Sequence, residues 1–176
     1  MNGRVMLAAA ALLTLAVAAG AAAITGGASA SPPDVVQAAK AAAANFHSIQ
    51  QAEAAGYVPA SPCVESPAGG MGFHYENPAL MADDAIDPAR PEILVYAPKA
   101  NGKLELVGVE YWKADADQSL GTNADLPSLF GRAFEGPMPG HGPPGAMPIH
   151  YDMHVWVAEE NPSGVFALFN PSLSCS

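Results

Sequence analysis

From Val35 onward the apolar residues recur at alternating steps of four and three: Val35, Ala39, Ala42, Phe46 and Ile49, with Glu53 closing the series. That spacing lays a stripe along one face of a helix. Ser31 or Asp34 supplies a cap, Pro32 and Pro33 suit a first turn, and Gly56 supplies a stop. The pattern predicts one long N-terminal helix. His47 falls off the stripe and is expected in solvent. Residues 57–70 are a Pro/Gly/Ser loop carrying Cys63. The period then changes to two. Residues 71–76 (MGFHYE) read as a short strand, and Asn77-Pro78 opens a short helical piece. Residues 92–97 (EILVYA) and 103–112 (KLELVGVEYW) flank Asn101-Gly102 and read as a hairpin. A short helix is expected within 126–135, capped by Asp125. Residues 136–148 hold too much Gly and Pro for regular structure. Residues 149–157 (IHYDMHVWV) and 165–169 (VFALF) read as two further strands, with Asn161 to Gly164 turning the chain between them. Short turns between strands imply antiparallel pairing. The expected class is α+β, one long N-terminal helix packed on a curled antiparallel sheet of about five strands.

Alternation also assigns faces. On 149–157, Tyr151, Met153, Val155 and Val157 share an apolar face that should meet the core. His150, Asp152, His154 and Trp156 share the other. On 103–112, Leu104, Leu106, Gly108, Glu110 and Trp112 share one face, and Val107, Val109 and Tyr111 the opposite one. His74 and Glu76 share a face, opposite Phe73 and Tyr75. A buried imidazole or carboxylate needs partners, because isolating it costs several kcal/mol. His74, Glu110, His150, Asp152 and His154 are the groups able to partner one another.

The first thirty residues have a different character. Arg4 is their one charge, an Ala/Leu/Val run follows, and Ala28-Ser29-Ala30 ends it with small residues. This is the pattern of a cleavable signal peptide, residues 1–30, followed by a single domain, residues 31–176. The expected destination is the periplasm or the extracellular medium. Cleavage leaves no membrane segment. The formal charge of the whole chain is −10, and losing Arg4 makes it more negative. No Lys/Arg cluster exists, so nucleic acid is excluded as a partner, and anionic membrane surfaces are disfavoured. Two cysteines, Cys63 and Cys175, in an exported chain predict a disulfide.

His with carboxylate is the usual donor set for zinc, copper or iron. Met138, His141, Met147 and Met153 lie close in sequence to His150 and His154 and tilt the choice toward copper. On a strand, His150 and His154 stand about 13 Å apart, too far to share one ion. Neighbours two apart, at roughly 6.7 Å, can share one. A metal site therefore needs His74 or Glu110 as well. Two other readings use the same residues: a His–carboxylate network with a purely structural role, and a cleft doing acid/base chemistry on a small molecule. No GxSxG or HExxH motif names a nucleophile or a metalloprotease, so no enzymatic activity is assigned. A module binding a small molecule between Tyr75, Tyr111, Trp112 and Trp156 is a third reading.

The segments GMGFHYENPAL, ELVGVEYW and HVWVAEENPSGVFALFNPSLSC resemble a group of uncharacterised exported bacterial proteins. The resemblance covers nearly all of residues 31–176. It implies a bacterial source and export, and it carries no activity or site residue onto this chain.

Overall fold

The period-two segments pair as an antiparallel sheet in the structure, a computed structural model that describes residues 32–141 and 146–176. The segment read as a signal peptide lies outside the described residues. Among those described, no helix is long and apolar enough to cross a membrane. The sheet is built from β1 (Val58–Pro59), β2 (Val64–Ser66), β3 (Gly69–Glu76), β4 (Ile93–Pro98), β5 (Leu104–Ala114), β8 (Glu135–Met138) and β9 (His150–Trp156). Its order is β1-β3-β4-β5-β9-β8, with β2 also paired to β3. It does not close. A separate ribbon joins β6 (Ser128–Leu129) to β7 (Arg132–Ala133).

The expected architecture needs correcting. The protein is mostly sheet, with seven strands in the main sheet rather than about five. Among the described residues there is no long N-terminal helix. The apolar stripe is split between α1 (Pro32–Ala43) and α2 (Ile49–Ala54). A capping box ends the continuity. Gln51 N–H donates to Ser48 Oγ, and Ser48 N–H donates to the Gln51 side chain. Satisfying these amide donors starts a new helix at Ile49 instead of prolonging the old one. Val35 and Ala39 of the stripe are buried, with Phe46 and Ile49 against them, but Ala43 and Ala52 are buried where Ala42 and Glu53 were expected to face the core, and Glu53 is exposed. His47 is exposed, as expected. Asn77 caps α3 (Pro78–Met81) with its side-chain oxygen.

Two other segments differ. The expected helix within 126–135 is the β6–β7 ribbon. Phe130 (φ 55) and Gly131 (φ 73) both take positive φ, which matches a two-residue hairpin turn. Residues 165–169 form turns, not a strand. Their carbonyls serve Trp156, whose backbone N–H donates to Val165 and whose indole N–H donates to Ala167. The Pro-rich 136–148 region also contributes residues to β8. A sheet edge tolerates Pro137 because no neighbour needs its missing N–H.

Alternation holds along β9 and breaks once in β5. The β4–β5 register shifts between Val95 and Tyr96, and an extra residue enters β5 opposite. The bulge reverses the expected sides of the first half of β5. Leu104 and Leu106 join Val109 and Tyr111 on the core face, while Val107 joins the other side. The core face carries Tyr75, Leu94, Tyr96, Val109, Tyr111, Tyr151, Met153 and Val155 against the helices. Each fully buried Val or Leu there contributes roughly 1.5–3 kcal/mol relative to exposure. The second face is smaller: Val95, Ala97, Val107, Trp156 and Leu173 form its apolar part. The C-terminal tail covers that part and is tied down by the Cys63–Cys175 disulfide, Cα–Cα 5.7 Å.

Candidate functional site

The second face of the sheet is where the polar residues collect. Strand pairing sets them in rows. His74 stands in register with Val95, Gly108 and Trp156. The next row is Glu76, Ile93, Glu110 and His154. The next holds Trp112 and Asp152, and His150 follows, opposite Ala114. All five residues singled out from the sequence are buried on this face.

Three of the five meet. His154 Nδ1 lies 2.9 Å from Glu110 Oε1, and His74 Nε2 lies 3.2 Å from the same oxygen. His74 reaches Glu110 across β4, about 9–10 Å in strand spacing. A carboxylate only accepts, so both contacts are N–H donations from the imidazoles. Burial alone would raise the Glu110 pKa. The two histidines outweigh it and hold the carboxyl well below its ordinary range. Burial opposes charge on His74 as well, and Glu110 outweighs that, leaving the His74 pKa raised.

Ser61 completes the support of His74, and nothing in the sequence pattern marked it. Its Oγ lies 2.9 Å from His74 Nδ1. It also accepts from the His74 backbone N–H and donates its single proton to the Pro62 carbonyl at 2.8 Å. The hydroxyl is therefore an acceptor toward the ring, and Nδ1 carries a proton. That direction removes Ser61 as an activated nucleophile, because its proton points away from the imidazole. It leaves Ser61 as the group that fixes the ring's orientation.

Asp152 and His150 lie beside this hub and do not join it. His150 Nδ1 donates to the Pro148 carbonyl at 3.1 Å, and its Nε2 stands 3.9 Å from Asp152 Oδ2. Burial lowers the His150 pKa. Burial, then the charges of Glu110 and Glu135, push the Asp152 carboxyl far above its usual range. Trp112 stacks on the His150 ring, with centroids 5.8 Å apart. Among the described residues, three buried polar atoms on this face have no hydrogen-bond partner: Trp112 Nε1, Asp152 Oδ1 and His154 Nε2. Met153 lies in the opposite, apolar core and offers no thioether here.

Gly108 makes room for the hub. A Cβ at this position would lie 2.9 Å from His154 Nε2. The His154 ring is already held by Glu110 and by Trp156, with centroids 4.6 Å apart. Gly108→Ala is therefore expected to displace the ring and cost about 1–3 kcal/mol, as overpacking does. Chemical denaturation of the variant checks this, and unchanged stability would contradict the placement of His154.

Among the described residues, no group of three or more His, Cys, Asp or Glu side chains is arranged to hold a metal ion as it stands. Two grooves among the described residues, one beside Lys40 and Leu104 and one beside Trp156 and Val165, take in none of His74, Glu110 and His154. No family model, curated protein or solved structure matches this chain.

Proposed function

We propose that the protein is an exported domain that binds one divalent transition-metal ion through His74 Nε2, Glu110 Oε1 and His154 Nδ1. The observation that carries the reading is the convergence of two imidazole nitrogens on one carboxylate oxygen, at 2.9 and 3.2 Å. Ligand atoms at about 2.0–2.1 Å around a tetrahedral ion lie roughly 3.3 Å from one another. The side chains thus need to move only a few tenths of an ångström at these two contacts. The ion would replace the two protons now pointing at Glu110. Imidazole and carboxylate donors suit Zn(II) and Cu(II). Ser61 would play the supporting role, accepting from His74 Nδ1–H while Nε2 faces the ion. Export rests on the N-terminal pattern and on the resemblance, and the disulfide agrees with an oxidising compartment.

The test is thermal melting of the wild type and of His154→Ala with added Zn(II) or Cu(II). Free ion at a hundred times Kd should add about 2.7 kcal/mol to the stability of the wild type. His154→Ala should lose most of that gain. Acid should release the ion as the imidazoles protonate. If neither ion raises the melting temperature of the wild type, and His154→Ala is simply less stable, the cluster is a structural network and the proposal fails.

A further inference from the structure

One groove lies away from the hub, between the α1–α2 connection and the start of β5. Its volume is about 1040 Å³. The wall is apolar where Ala43, Leu104, Leu106 and Val157 line it. Lys40 and Lys103 also line it, and so do His47 and the one carboxylate Glu105.

The two lysines stand out against the charge of the whole chain. Acidic residues outnumber Lys and Arg by 17 to 7. In such a chain a cation readily finds a carboxylate, and four of the described basic side chains have done so. Arg90 pairs with Asp87 and Asp83, Lys99 with Glu159, Lys113 with Asp84 and Arg132 with Glu135. Lys40 and Lys103 are the two described basic residues with no ion pair, and both line this groove. They come from distant parts of the sequence, so their shared position is a product of the fold. An apolar wall with two unpaired cations matches a ligand with a hydrocarbon body and an anionic end. Clefts that bind small molecules are built this way, largely apolar with few polar groups to fix orientation. A cleft with cationic walls also concentrates anions near it, despite the negative charge elsewhere.

We infer that this groove binds a small organic carboxylate, its hydrocarbon body against Leu104, Leu106 and Val157 and its carboxylate between Lys40 and Lys103. The site is independent of the metal reading, and either can fail alone.

Decanoate is the probe, titrated calorimetrically into the disulfide-bonded protein. Decanol serves as the neutral control and inorganic phosphate as the anion without an apolar body. Decanoate should bind at least tenfold more tightly than either control, and added salt should weaken it. Lys40→Gln and Lys103→Gln are surface changes that leave the fold intact. Each should weaken decanoate severalfold, and the pair together should bring it to the level of decanol. The inference is overturned if decanoate does not bind, if decanol binds equally well, if phosphate alone binds as tightly, or if the double variant binds decanoate unchanged.

Discussion

Replacing both Cys63 and Cys175 with Ser is expected to lower the unfolding free energy by up to about 4–5 kcal/mol. The two residues are 112 apart in sequence. Opening so long a loop restores much freedom to the unfolded chain, and the penalty falls on folding. The folded state also loses an anchor. The tail behind Cys175 lays Leu173 over the apolar part of the second face, against Val95, Ala97, Val107 and Trp156. Backbone bonds between Gly70 and Asn170 hold it there. A Cβ on Gly70 would lie 2.3 Å from the Leu173 side chain, so the tail packs directly on backbone. Chemical denaturation of the double variant beside the oxidised wild type measures the effect. A loss under about 1 kcal/mol would mean that the tail stays in place without its covalent tie.

The metal-free protein is expected to be more stable at pH 5 than at pH 8, the reverse of what salt-bridged carboxylates produce. Glu92 contributes from outside the His–carboxylate hub. Burial raises its pKa from 4.5 to about 7, although its Oε2 accepts from the Trp112 backbone N–H. A carboxyl with a raised folded pKa keeps its proton longer in the folded state than in the unfolded one. Stability is then complete below the unfolded value of 4.5 and declines as pH rises through about 7. Full expression of that shift is worth roughly 3 kcal/mol. Asp152 and His74 are shifted upward too and add to the decline. His150 is shifted downward and opposes it near neutral pH. The lowered carboxyl of Glu110 matters only in stronger acid. Melting temperatures across pH 5–8, with chelator present, read the slope. Glu92→Gln should flatten it markedly. A wild type that becomes more stable toward pH 8 would contradict the burial of Glu92.

Much of the sheet was legible because alternation is a local signal. Residues 150–156 alternate without interruption, so the polar set His150, Asp152 and His154 and the apolar set Tyr151, Met153 and Val155 came out on their correct faces. Asn101-Gly102 marked its hairpin for a similarly local reason. The long helix failed on a signal that was also local. Ser48-x-x-Gln51 is a capping box, and the regular apolar stripe masked it. The β5 bulge had no such mark. It depends on how Val95 and Tyr96 meet the partner strand, so Leu104, Leu106 and Val107 lie on the sides opposite to those that alternation alone predicts. Residues 165–169 looked like a strand by composition, yet their carbonyls are committed to Trp156 and Asn161. In the site, types and faces were legible while register was not. His74 and His154 come to one oxygen of Glu110, and Asp152 is left beside them, because of pairings no single strand encodes. Ser61 lies in an irregular loop, where no periodicity could direct attention to it.

The proposed ion site lies between His74, Glu110 and His154. The most direct measurement is anomalous diffraction from crystals of the protein loaded with Zn(II) or Cu(II), collected on both sides of the metal edge. A single strong peak is expected about 2.0–2.2 Å from His74 Nε2, Glu110 Oε1 and His154 Nδ1, with Ser61 still against His74 Nδ1. Loaded crystals with no peak there, with His74 and His154 still donating to Glu110, would contradict it.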